Sequence, residues 1–491
     1  MRVALIAAEC EPWAKSGGLG DVVDALARSL GRLPGALDAP ADVYLPRYRS
    51  VPVPDDACEG GGIVVPDPLA TSGVRTVRLV DVAADGYRLR LVDLPEAFDR
   101  DGFYGDRAGD YPDNPWRFGM FCRTALEAVR SQAPVDVLHI HDWHAGPVAL
   151  YRDRFYATDP VIGRAALVLT LHNLAYHGWT PRDRLAELGL APGDGVLPPN
   201  AEGVDLLRAG VVRSDLANTV SPTYAVQART PEFGFGLDVA LGAKGDRFVG
   251  ILNGLDPVLW DPATDPVLAT RYDRDRPAGK AACRADLLER LGMDAGDDGA
   301  VLGAVGRLDP QKGFDLVADA GETLLRGGAR IVVQASGHPE IAEGLRTLER
   351  RYPDRGRFIE RFDRDMARRI YAGVDLFLIP SRFEPSGQVQ MIALRYGTPP
   401  VARATGGLLD SIVDVTERPA AGTGFLFGPA TPEALVEASV RAMAVRADKE
   451  AWLALVRRGM GVDFAWEAAA APAYLDLYRR AASIRASTFG S

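Results

Sequence analysis

Short apolar runs ending on glycine or a polar residue alternate with amphipathic stretches along this chain, and no other feature restricts its fold as tightly. That alternation belongs to parallel α/β architecture, in which each buried strand feeds a covering helix. A first series predicts strands at 3–8, 43–46, 135–141, 166–171 and 216–220, with helices at 21–30, 115–130 and 146–155. A second predicts strands at 300–308, 330–335, 358–361, 375–380 and 400–402, with helices at 314–326, 340–352, 366–371 and 388–396. Between them residues 256–298, rich in Pro, Asp and Gly, read as a linker with one short helix. A chain of 491 residues exceeds what a single core serves. The expectation is two doubly wound, Rossmann-like α/β domains, 1–254 and 255–463, facing each other across a cleft. Ligands of such folds sit at the carboxyl ends of the strands.

A formal charge of −10 argues against a nucleic-acid partner, which calls for a basic face. No apolar run approaches the roughly 20 residues of a membrane span. The opening run is too short for a signal peptide and is interrupted by Glu9 and Glu11. Cys10, Cys58, Cys122 and Cys283 show no C-x-x-C spacing, so neither a disulfide framework nor a zinc site is expected, and a reducing compartment fits. These features predict a soluble, cytoplasmic protein without a membrane partner. Only five of the 56 basic residues are lysines, which draws attention to Lys15 and Lys312 inside motifs.

Lys15-Ser16-Gly17-Gly18-Leu19-Gly20-Asp21 follows the first strand and opens the first helix. Glycines there admit a ligand to the backbone, helix-start amides favour an anion, and Lys15 adds a mobile positive charge. The bland alternative is a tight turn that needs glycine only for packing. The spacing is not G-x-G-x-x-G, so no dinucleotide is expected. His139-Ile140-His141-Asp142-Trp143-His144 ends a later strand. Its three histidines lack a metal-ligand geometry, and hydrogen bonding to sugar hydroxyls beside Trp143 suits them better. His139 and His141 read equally as an internal, satisfied pair. Asp142 is the stronger functional candidate, because a carboxylate at a strand end needs a partner. His172-Asn173 ends the strand at 166–171 on the same rim.

In the second series, Arg307 and Lys312 bracket a turn that leads into a helix. Two cations beside helix-start amides suit a diphosphate; a solvated surface pair is the alternative. Glu384-Pro385-Ser386-Gly387-Gln388 repeats the plan, with Ser386, Gly387 and Gln388 starting a helix whose amides aim at the cleft. A carboxylate repels phosphate, so Glu384 is expected to bond sugar hydroxyls. Gly406-Gly407 adds another glycine turn. The Asp-x-Asp pairs Asp273/Asp275 and Asp363/Asp365 read as helix caps or solvated loops rather than a metal–diphosphate clamp. No metal is expected.

Together these segments resemble the bacterial glycogen synthase and plant starch synthase family, retaining glucosyltransferases with the two-domain GT-B fold. The likeness covers nearly the whole chain and adds Asp113-Asn114-Pro115-Trp116, Thr219-Val220-Ser221-Pro222, Asn253-Gly254-Leu255-Asp256 and Tyr396-Gly397-Thr398. It implies transfer of glucose from ADP-glucose to the non-reducing end of an α-1,4-glucan, with no metal or other cofactor; the residues themselves leave ADP against UDP open. By position, the resemblance makes Lys15, Gly18, Arg307 and Lys312 donor-diphosphate contacts. It gathers Asp142, His172, Asn253 and Glu384 around the transferred glucose and puts Tyr104, with Asp142, on the acceptor side. The first domain then serves the glucan, the second the nucleotide sugar, and residues 464–491 form a helix returning to the first.

The family usually has Glu-Pro-Cys-Gly-Leu where this chain has Ser386 and Gln388 around Gly387. Backbone amides survive that change, so these three residues stay among the expected donor contacts, within a more polar wall. Ile392 stands eight positions after Glu384, so the second glutamate of wider retaining GT-B enzymes is absent. No side-chain nucleophile is evident, which favours a front-face route carried by positioning. Two other readings stand beside this one. One is a related transferase with a small sugar or sugar-phosphate acceptor. The other is a glucan-binding paralogue with weakened catalysis, suggested by Ser386 and Gln388 and opposed by the retention of Lys15, Arg307, Lys312 and Glu384.

Overall fold

The computed structural model describes residues 1–107, 109–191 and 202–489. They form two compact units, Met1–Val220 with Ala225–Gly254 and Trp466–Ser491, and Ser221–Tyr224 with Leu255–Ala465.

The first unit is built on a nine-stranded sheet ordered Phe248–Gly250, Leu216–Thr219, Ala166–Leu171, Val137–His141, Val3–Ile6, Ala41–Pro46, Tyr87–Asp93, Val74–Ala83 and Cys58–Pro66. From Phe248–Gly250 to Tyr87–Asp93 every pairing is parallel. Val3–Ile6, Val137–His141 and Ala166–Leu171 are buried at every position, as strands covered on both faces must be. The helix Gly18–Arg32 packs on Ala41–Pro46 and Tyr87–Asp93, and the helix Asn114–Arg130 on Val3–Ile6 and Tyr87–Asp93. The helix Ala471–Phe489 packs on Ala166–Leu171 and Val137–His141. Tyr478 and Tyr474 carry its hydroxyls to His139 at 2.8 Å and to the Asn218 amide at 3.1 Å.

The second unit has six parallel strands in the order Gly356–Ile359, Arg330–Gly337, Val301–Leu308, Leu376–Ile379, Pro400–Arg403 and Phe425–Phe427. Counted in chain order this is 3-2-1-4-5-6, the doubly wound arrangement, and its order reverses between Val301–Leu308 and Leu376–Ile379. In the first unit the reversal lies between Val3–Ile6 and Val137–His141. Both units therefore have the doubly wound α/β form expected of them.

Two stretches go beyond the sequence reading. Cys58–Pro66, Val74–Ala83 and Tyr87–Asp93 are strands joined by antiparallel pairings, in a region where none was expected. Cys58–Pro66 is largely exposed and carries Gly60, Gly61 and Gly62, so it lacks the solid apolar run of a parallel strand. Helices Pro432–Ala447 and Lys449–Met460 follow the last strand.

In each Asp-x-Asp pair the first aspartate is engaged locally. Asp363 caps the helix Arg364–Gly373 through Met366 N at 3.0 Å. Asp273 accepts from the amides of Asp275 and Arg276 at 3.0 and 2.7 Å. The four cysteines are free. Among the described residues no helix is long and apolar enough to cross a membrane.

Candidate active site

In the first unit, register pairing of Val3–Ile6 with Val137–Ile140 sets the turns after the two strands side by side. Asp142 is the first residue past Val137–His141, 7% exposed, with φ 54° and ψ −171°. That backbone region is nearly reserved for glycine and costs another residue about 1–3 kcal/mol. The fold holds it there: Asp142 N donates to Thr170 O at 3.1 Å, and its carboxylate accepts from His172 N at 2.7 Å. Burial pushes the Asp142 carboxyl up to about 7, against the opposing pull of the His172 and Asn173 amides.

His172 Nε2 lies 3.0 Å from His141 Nδ1, and burial lowers the His172 imidazole to about 3, so it is neutral at ordinary pH. The open choice for His139 and His141 resolves differently for each. His139 spends both nitrogens inside the fold, on the Tyr478 hydroxyl and on Thr170 Oγ1 at 2.7 Å. His141 orients His172 and keeps a buried Nε2 with no partner among the described residues. Asn253, three residues past Phe248–Gly250 and 7% exposed, likewise has a buried Oδ1 with no donor among the described residues. A buried acceptor left open in this way is equipped for a ligand hydroxyl.

Tyr104 joins this cluster: its ring stacks on His144 at 4.3 Å, two residues past Asp142. Its hydroxyl donates to Glu9 at 2.6 Å. Glu9, which the sequence presents only as a charge closing an apolar run, is 4% exposed and is the residue that sequence reasoning missed. No local signal marks it: Ser16 and Gly17 turn back on it only once the loop is folded, and Tyr104 comes from 95 positions away.

The loop at Lys15–Gly18 requires one correction. Lys15 is not a free charge: its ammonium pairs with Asp21 at 2.5 Å and lies 3.8 Å from Glu11. Gly17 and Gly18 behave unlike packing glycines, since a Cβ on either would meet nothing within 4 Å.

In the second unit, the turn after Val301–Leu308 is a single helical turn, Pro310–Lys312, followed by the helix Phe314–Arg326. It is laced to the loop after Leu376–Ile379 by Arg382 N to Gln311 O at 2.7 Å and by Gln311 Nε2 to Phe383 O at 3.1 Å. This brings Lys312 to Glu384, 72 positions later in sequence, at 2.7 Å. Lys312 is therefore not a second unpartnered cation beside Arg307. Its charge neutralises Glu384, which is 5% exposed and also accepts from Ser381 Oγ at 2.9 Å. Arg307 is exposed on its strand and makes no ion pair among the described residues. Ser386 is buried, and Gly387 and Gln388 lead into Val389–Arg395, a helix of seven residues that starts one position later than expected. Gly387 has φ +70°, and a Cβ there would lie 2.4 Å from Gln390 Oε1. Its glycine is demanded by the loop itself, whatever approaches it.

Two doubly wound domains with polar, partly uncompensated turns at their switch points are the framework on which a glycosyltransferase of the GT-B class is built. Comparison with known proteins agrees: residues 2–243 match the Starch synthase catalytic domain family and 299–444 the Glycosyl transferases group 1 family. The chain is 38% identical to the glycogen synthase of Syntrophotalea carbinolica, with 99% of each chain covered. It is 40% identical to that of Anaeromyxobacter dehalogenans, over 98% of this chain and 99% of that one. The catalytic domain of starch synthase IV from Arabidopsis thaliana, solved bound to ADP and acarbose, superposes with a TM-score of 0.87 at 32% identity, covering 98% of this chain and 99% of that one. The chain belongs to the glycogen and starch synthase family. Its activity is that of a glycogen or starch synthase, glucosyl transfer from a nucleotide sugar to an α-glucan.

Proposed function

We propose that the donor is ADP-glucose, that glucose is added to the non-reducing end of an α-1,4-glucan with retention, and that the reaction runs in the cytoplasm without a metal. The observation that carries this reading is the Lys312–Glu384 pair at the switch point of the second unit, in a chain similar over its full length to glycogen synthases. The Arabidopsis relative's bound ADP supports the choice of nucleotide.

Bond breaking at the anomeric carbon leaves charge on the diphosphate. Arg307 and Lys312 supply fixed positive charge for it, assisted by the Gly18 end of the helix Gly18–Arg32 and by the loop at Ser386, Gly387 and Gln388. Lys312 serves two acceptors in this scheme, Glu384 and the leaving group, so Glu384 sets the position of the ammonium as well as bonding the sugar. Asp142, His172 and Asn253 present acceptors and a neutral imidazole to glucose hydroxyls, with Tyr104 toward the incoming glucan. No side chain is assigned as a nucleophile, and the acceptor attacks on the face from which the diphosphate leaves.

The test is direct. Purified protein with a glycogen primer and either ADP- or UDP-glucose is expected to release nucleoside diphosphate and lengthen glucan at least tenfold faster with ADP-glucose. Exhaustive EDTA treatment should leave that rate unchanged. Preference for UDP-glucose, or loss of activity restored by Mg²⁺, overturns the corresponding assignment; growth of a small sugar in place of glycogen overturns the acceptor.

A further inference from the structure

Glu9 sits three residues past Val3–Ile6 with a buried carboxylate, and the bonds it makes run in two directions. Its Oε2 accepts from the backbone amides of Ser16 at 2.7 Å and Gly17 at 3.1 Å. Its Oε1 accepts from two hydroxyls, Ser16 Oγ at 2.6 Å and Tyr104 at 2.6 Å. Among the described residues no lysine or arginine pairs with it. Burying a carboxylate without a counter-ion is unfavourable unless its lone pairs are well bonded, and here four neutral donors fill both oxygens. A fold that needed only a plug at this point would be served by an apolar side chain.

We propose that Glu9 is a positioning residue of glucosyl transfer, one buried carboxylate that sets the Lys15–Gly18 loop and the Tyr104 hydroxyl against each other. This rests on the roles proposed above for that loop on the donor side and for Tyr104 on the acceptor side. Ser16 and Gly17 immediately precede Gly18, the first residue of the helix Gly18–Arg32, so fixing their amides fixes the helix start. Tyr104 in turn stacks on His144 beside Asp142, so its hydroxyl and the Asp142 turn share one support. A shift of Glu9 moves both substrates' contacts together, whereas a shift in either contact alone moves only its own.

Replacement chemistry separates position from charge. The two acceptances at Oε2 come from backbone amides and cannot reverse. Those at Oε1 come from hydroxyls, which can also accept. In Glu9→Gln the amide oxygen can keep both backbone bonds while its NH₂ donates to the two hydroxyls. Glu9→Ala deletes every tie, and Glu9→Asp is too short to hold both sides.

The experiment measures kcat, KM for ADP-glucose and KM for glycogen in Glu9→Ala, Glu9→Asp, Glu9→Gln, Lys15→Ala and Tyr104→Phe, with thermal melts to confirm folding. Glu9→Ala and Glu9→Asp are expected to lower kcat at least thirtyfold and raise both KM values severalfold. Lys15→Ala should raise chiefly the nucleotide-sugar KM and Tyr104→Phe chiefly the glycogen KM. Glu9→Gln should recover to within about tenfold of the parent in kcat. If Glu9→Gln is as damaging as Glu9→Ala, charge rather than position matters and the proposal falls. It falls equally if the folded Glu9→Asp protein has unchanged kinetics and only a lower melting temperature. If Lys15→Ala and Tyr104→Phe are themselves inert, the underlying donor and acceptor assignments fail, and this inference with them.

Discussion

The glycine turn after Val3–Ile6 and the glycine turn after Leu376–Ile379 look alike in sequence, yet glycine serves opposite ends in them. Around Gly17 and Gly18 there is room for a side chain, and neither has a left-handed backbone. In the second unit the room is gone. Gly387 in that turn has φ +70°, with Gln390 Oε1 where its Cβ would stand, and the glycines of the next turn, Gly406 (φ +45°) and Gly407 after Pro400–Arg403, back directly onto Glu384 O and Ser386 O. The second turn needs glycine in order to fold; the first keeps it although the fold makes no such demand, which points to something that must come close. The carboxylates differ in the same way. Glu384 is neutralised by an ammonium, whereas Asp142 and Glu9 are held by uncharged donors.

The largest expected effect tests the charged half of that contrast. Arg307→Ala and Lys312→Ala should each lower turnover a hundredfold or more, the usual loss of about 3 kcal/mol when a preorganised charge donor is removed. Lys312→Ala should in addition lower the melting temperature, because it strands Glu384 with Ser381 alone. Turnover within a few-fold of the parent for both would break the assignment.

Next comes the glycine contrast itself. Gly387→Val puts a branched side chain at φ +70° and is expected to destabilise the fold by about 2 kcal/mol or more. Gly18→Ala should leave the melting temperature unchanged or raised, since alanine is the better helix former, while raising the nucleotide-sugar KM about tenfold. Melting curves and donor kinetics on the two variants decide it. Equal stability losses would mean that both turns use glycine for packing.

The pH dependence of Asp142 follows from its burial. With its carboxyl raised from 3.8 to about 7, the folded chain keeps a proton that the unfolded chain has lost over most of that interval. Its contribution to stability therefore falls as pH rises through the window and stays low above 7. Asp142→Asn, which has no proton to lose, should melt progressively higher than the parent between pH 5 and pH 8. The parent's kcat/KM should rise through a titration near 7 that the variant lacks. A melting difference that does not change with pH would show the carboxyl to be unshifted.

The smallest effect concerns Ser386 and Gln388. Ser386→Cys and Gln388→Leu restore the usual family residues without touching the backbone, and donor affinity and turnover should change about tenfold or less. A thousandfold gain in turnover would mark the chain as a weakened paralogue.

How much of this was legible in sequence depended on whether the signal was local. The buried parallel strands could be read as apolar runs, and Asp142, His172, Arg307 and Glu384 stood out because doubly wound folds bring function to strand ends. Cys58–Pro66 escaped because an exposed, glycine-bearing antiparallel strand has no apolar run to read. Pairings between distant residues escaped for another reason. Lys312 and Glu384 are 72 positions apart, and Glu9 and Tyr104 are 95 apart. Neither partner signals the other until the sheets are formed. Lys15 and Asp21, six apart, could have been paired from sequence.

The contribution of Tyr474 and Tyr478 to the first unit also bears on how the chain is made. Ribosomal synthesis runs at about 5–20 residues per second, with N-terminal regions ordinarily folding first. Here the strand Val137–His141 waits for a hydroxyl from residue 478 to satisfy His139, a delay on the order of tens of seconds at those rates. The second unit has all its residues once Ala465 has emerged. The first unit thus receives its helix Ala471–Phe489 only after the second has all its residues, and until then His139 lacks the Tyr478 hydroxyl.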